Sequence, residues 1–131
     1  MSDGSNQADW SYDVRIDAQP WMVALVRDSL GSALRRRGRP ELADTAALLV
    51  SEVTTNGILH SRTPVTVRAQ WQGGRLWVVV HDESPVFPTQ EMPGAEEERG
   101  RGLLLVDGFA KSWGVRPCTV GSGKVVWFEL G

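Results

Sequence analysis

Apolar residues recur along the chain with two periods, and the switches between them lay out the elements in order. Val14, Ile16 and Ala18 alternate with polar neighbours and predict a short edge strand. Pro20 then suits the first turn of a helix on which Val23, Val26, Leu30, Ala33 and Leu34 recur at helical spacing. Gly38 ends that helix after Arg35, Arg36 and Arg37. A second helix starts near Pro40 and stops before Pro64, with Leu42, Ala46, Leu49, Val53, Gly57 and His60 along one stripe. Val65, Val67, Ala69 and Trp71 alternate with Thr66, Arg68 and Gln70, the pattern of a strand with one buried face. Leu76 to Val80 is apolar at every position, as a central strand is. Gln72, Gly73 and Gly74 supply the hairpin turn between them.

From Asp82 to Gly102 the periodicity lapses across three prolines and the acidic cluster Glu96, Glu97 and Glu98. A loop of that length inside a small domain is usually a lid or a binding loop. Leu103 to Lys111 predicts a third helix, followed by a strand around Trp113 to Arg116, a glycine-rich turn at Gly121 to Gly123 and a last strand from Val125 to Leu130. The order is β-α-α-β-β-loop-α-β-β, and a sheet with helices on one face fits it.

Length and composition narrow the classes. The 131 residues suit one domain, spanning 12–131 after a polar, loose N-terminus at 1–11 that has neither the basic start nor the apolar run of a signal peptide. Hydrophobic residues make up 41% and charged residues 23%, which argues against a disordered chain; no apolar run reaches membrane-spanning length. Fourteen basic against sixteen acidic residues leave a net charge of -2, which argues against capture of nucleic acid by charge alone. Arg35, Arg36, Arg37 and Arg39 then read as cations at a helix C-terminus. The single cysteine, Cys118, excludes an internal disulfide and suits a reducing, cytoplasmic compartment. Of six tryptophans, Trp71, Trp77, Trp113 and Trp127 fall on predicted strands, where aromatics pack well, while Trp10 and Trp21 are compatible with an interface.

Three features carry candidate chemistry. Glu52 and Asn56 lie one turn apart at the border of the second helix's buried stripe. A carboxylate one turn before an amide suits a pair in which the amide oxygen holds Mg²⁺ and the carboxylate orients a nucleophile; the plainer reading is a solvated polar rim. Asp82, at the end of a buried strand, could accept a hydrogen bond from an exocyclic amine or simply start a turn before Ser84 and Pro85. Arg99, Gly100, Arg101 and Gly102 run straight into the third helix at Leu103. Close backbone approach, free N–H groups and positive charge there suit a polyphosphate, although the stretch is neither a Walker A loop nor a dinucleotide fingerprint.

In order and spacing, these segments resemble the GHKL (Bergerat) ATP-binding fold. VSEVTTNGILHS (50–61) is similar to its N box, HDESPVFP (81–88) to its G1 box, ERGRGLLLVDGFAKSWG (98–114) to its G2 box, and GKVVWFEL (123–130) to the last strand of one branch. That branch comprises small anti-sigma-factor or serine-kinase-like ATPases of the actinobacterial type. The resemblance implies a two-layer α/β sandwich, its sheet mixed but mostly antiparallel, with ATP between the second and third helices and a lid at about 85–99. It implies Glu52 as catalytic, Asn56 on Mg²⁺, and Asp82 on the adenine amine. Arg99, Gly100, Arg101, Gly102 and Leu103 would meet the phosphates, with His60 and Ser84 beside the nucleotide. It further implies ATP-dependent phosphorylation of an anti-anti-sigma (STAS-domain) partner and sequestration of a sigma factor, or, without transfer, a nucleotide-gated binding module; a homodimer is compatible with either. The ATPase domain of a sensor histidine kinase is the less expected reading, since 131 residues leave no room for its dimerisation and phosphoacceptor helices. Two positions depart from the pattern: Ser84 stands where the G1 box carries glycine, and Val125 where a threonine would hold a water beside adenine. Ser84's hydroxyl is the expected substitute partner for Asp82.

Overall fold

A computed structural model describes residues 9–84, 104–118 and 123–131. Among them, five strands form one sheet in the order β1-β2-β3-β5-β4: β1 (Trp10–Ile16), β2 (Val65–Gln72), β3 (Arg75–Asp82), β4 (Ser112–Pro117) and β5 (Lys124–Leu130). A turn of 3-10 helix at Pro20–Met22 leads into α1 (Val23–Arg36), and α2 (Pro40–Ser61) follows; α3 covers 104–109.

Alternation decides which face is buried. Val65, Val67, Ala69 and Trp71 of β2, Leu76, Val78 and Val80 of β3, and Val126, Phe128 and Leu130 of β5 all turn inward. Against them lie Val26, Leu30 and Leu34 of α1 and Ala46, Leu49, Val50 and Val53 of α2. Small alanines on α2 let the longest helix lie close on the central strands. The other face of the sheet carries Trp77 and Trp127, whose rings sit 6.0 Å apart. Trp71 is the one tryptophan of the deep core, with the Arg39 guanidinium 4.7 Å from its ring centre.

The sheet, expected to be mixed but mostly antiparallel, is antiparallel in every described pairing. The reason is the α1–α2 hairpin: it returns the chain to the end of the sheet that it left, so Ile16 pairs with Val65 and β2 must run against β1. The first strand also opens at Trp10 and closes at Ile16, so Trp10 and Ser11, read as part of the loose N-terminus, pair with Trp71 and Gln70. Ladder hydrogen bonds supply the order that the polar sequence does not signal.

Candidate functional site

Asp82 is the last residue of β3 and shares the inward face with Leu76, Val78 and Val80. Its carboxylate is therefore carried under α2 at the end of the sheet, where it is buried. Across the ladder stands Lys124, the first residue of β5. The Lys124 Nζ donates to Asp82 Oδ2, and the backbone N–H of Ser84 donates to Oδ1 at 3.1 Å. Ser84 thus serves Asp82 through its main-chain N–H.

The register also revises the reading of Val125. That residue pairs with His81 and points to the opposite face, so Lys124 is the β5 residue on the Asp82 side. Inward positions of β5 run 124, 126, 128 and 130, as its register with the inward residues of β3 fixes. Gly123 was likewise missed. Its φ is +108°, and a Cβ there would lie 1.9 Å from the Asp82 carbonyl oxygen, so only glycine lets β5 start this close to the end of β3.

From the helix side, α2 contributes Val53, Asn56, Gly57 and His60 to the same pocket. Residues 53, 56, 57 and 60 fall on one face at i, i+3, i+4 and i+7. Val80 and Val126 close the sheet side, next to Asp82 and Lys124. The site is therefore walled by valines, with an amide, an imidazole and the Lys124–Asp82 ion pair in its lining. Behind it, the helix end is tied to the strand end. Arg62 takes a left-handed conformation (φ 55°) that stops α2, Ser61 Oγ accepts the Thr63 N–H at 3.1 Å, and Thr63 Oγ1 accepts the Glu83 N–H at 2.9 Å. On the surface, Arg15 pairs with Glu83 at 3.0 Å.

The remaining expected site residues divide in two. Glu52 sits half-buried one turn before Asn56, outside the described pocket lining. Arg99, Gly100, Arg101, Gly102 and Leu103, and the expected lid at about 85–99, lie outside the described residues. A wider hollow of about 520 Å³ between α1 and α2 is lined by exposed charges that pair with each other, Arg35 with Asp44 at 2.6 Å among them. It has no buried polar group to orient a ligand.

The pocket's residue types fit a purine that carries an exocyclic amine. Valines would cover the ring faces, and a carboxylate with two occupied acceptor positions has two more to offer. The free volume, about 20 Å³, is that of about one ordered water, so a base enters only when part of the wall moves aside. Asn56 offers an amide oxygen to a cation of the kind that keeps most of its other positions for phosphate and water, as Mg²⁺ does.

A family model described as a histidine kinase-like ATPase domain matches residues 16–130, from the end of β1 to the end of β5. Among solved structures, the chain is similar to the histidine kinase domain from Erythrobacter litoralis EL346 blue-light activated histidine kinase. The identity is 21% and the TM-score 0.48, over 82% of this chain and 60% of that one. The chain thus spans less than two thirds of that structure's length. No curated protein matched. Among the described residues, no helix is long and apolar enough to cross a membrane.

Proposed function

Because this chain belongs to the histidine kinase-like ATPase family, we propose that it binds Mg·ATP in the pocket between α2 and the sheet and serves as a regulatory serine/threonine kinase of the anti-sigma type. The observation that carries the nucleotide part is the convergence of Asn56, His60 and Asp82, from two elements distant in sequence, on one valine-walled pocket. Asp82 would accept the amine of adenine, and Asn56 would hold Mg²⁺ through its amide oxygen. When bound, ATP supplies a transferable phosphoryl group and Mg²⁺ neutralises charge on it. Glu52, one turn before Asn56, would orient the acceptor hydroxyl, so that the protein's part is positioning and electrostatics. The acceptor in this proposal is a serine or threonine of an anti-anti-sigma (STAS-domain) protein, and the sequestered partner is a sigma factor.

Titration calorimetry with ATP, with and without Mg²⁺, tests the binding. Wild type should bind and Asp82→Asn should bind at least about tenfold more weakly, as loss of one charged hydrogen bond predicts. Heatless titrations of wild type would sink the proposal. Transfer of labelled phosphate to a STAS-domain partner by wild type, and its loss in Glu52→Ala, tests the kinase part. A second reading, a nucleotide-gated binding module without transfer, is favoured by the ion pair on Asp82, which opposes tight nucleotide binding. Absence of transfer in both proteins would select it.

A further inference from the structure

The Lys124 side chain is 9% exposed, and that of Asp82 is 3% exposed. A lysine at the inward position of a strand whose next inward residues are Val126, Phe128 and Leu130 is costly. Its stem must be packed and its ammonium stripped of water, which among the described residues the Asp82 carboxylate offsets. The same stem lines the pocket in which only about 20 Å³ is free. One residue therefore does two things at once: it takes a carboxylate oxygen and fills the space beside it.

We propose that Lys124 is an internal occupant of the base site, holding Asp82 through its ammonium until a nucleotide displaces it. The proposal rests on the reading of Asp82 as the acceptor for the adenine amine. Displacement is mechanically simple, because four methylenes let the ammonium swing to water while the β5 backbone stays paired. It has a thermodynamic cost, since Asp82 exchanges a charged donor for a neutral one, and charge-assisted hydrogen bonds are roughly twice as strong as neutral ones. That cost is subtracted from nucleotide affinity and amounts to about tenfold in the dissociation constant. Lys124 thereby sets the nucleotide concentration at which the site fills, without touching the phosphates.

The chain holds two lysines, Lys111 and Lys124, and Lys111 is exposed. Brief amine acylation of the whole native protein, followed by peptide mass spectrometry, reads both at once. In nucleotide-free protein Lys124 should be labelled at least about tenfold more slowly than Lys111, as burial and ion pairing demand. Saturating Mg·ATP should raise Lys124 labelling severalfold and leave Lys111 unchanged. In parallel, Lys124→Met and Lys124→Thr should bind ATP about tenfold more tightly than wild type by calorimetry. Equal ATP affinity in wild type and both variants, with Lys124 still protected in the bound state, overturns the displacement while leaving Asp82 as a base reader. Failure of all three proteins to bind ATP removes the base reading itself, and this inference with it.

Discussion

Glu129 illustrates how a single residue is held by neighbours from two other strands. It is buried on β5, where Ser112 Oγ of β4 donates to one carboxylate oxygen at 2.7 Å and Arg75 of β3 to the other at 2.8 Å. The Ser112 hydrogen bond, with help from Arg75 and against desolvation, holds the carboxyl below its ordinary value of 4.5. A carboxylate depressed in the folded state stabilises the fold at pH values above its unfolded pKa. That contribution is lost as pH falls through the ordinary carboxylate range and on through the lower folded value. Chemical denaturation at stepped pH below about 5 should therefore show stability falling in wild type with a steeper acid limb than in Glu129→Gln. Identical limbs in the two proteins would remove Glu129 from the acid response. The same residue-level logic separates what the sequence discloses from what it withholds. Asp82 and Asn56 are recognisable because polar residues interrupt apolar patterns there. Lys124 was overlooked because its role depends on register with β3, which pairs residues 42 positions apart.

At the scale of elements, the junction of β3 with β5 is the most constrained part of the site. Gly123 has a positive φ and its missing Cβ leaves room for the Asp82 carbonyl. Gly73 and Gly74, with φ of +61° and +80° in the β2–β3 turn, have open space within 4 Å of where a Cβ would stand. Substitution by alanine should therefore separate strain from collision. Gly74→Ala should cost about 1 kcal/mol by urea denaturation, the lower end for a residue held at positive φ. Gly123→Ala should cost at least about 3 kcal/mol and displace β5 from Asp82. Equal costs would mean that the backbone relaxes around Gly123. Helix and strand boundaries were largely legible at this scale, since the period of 3.6 is clear over α1, the period of 2 over β2, and β3 is an unbroken apolar run bounded by turn glycines and Asp82. The antiparallel run of β2 against β1 was not, because it depends on where the helical hairpin returns the chain, and no local pattern encodes that.

In the whole molecule, β3 and β5 lie between other strands and beneath α2, while β1 and β4 are the edges. β4 has no buried residue, and its last three positions are exposed. Amide hydrogen exchange should accordingly rank the strands: β3 exchanging only by global unfolding, β4 by cheaper local opening. Protection of β4 equal to that of β3 would contradict this ranking. The two-layer architecture and the family were legible from the ordered boxes at 50–61, 81–88 and 98–114, which the family match over residues 16–130 bears out. What stayed illegible is the state of the pocket, since its filling by a lysine is a matter of three-dimensional packing.

The pairing of Ile16 with Val65 has a consequence for synthesis. The first strand leaves the ribosome about fifty residues before its partner, so at ordinary elongation rates it waits roughly 3 to 10 s without a ladder. Both helices are complete in that interval, and the β2–β3 hairpin, closed by a two-residue turn, can form by itself as soon as it emerges. β1 is then the piece that a nascent chain adds to a sheet already begun, first made and late to be placed.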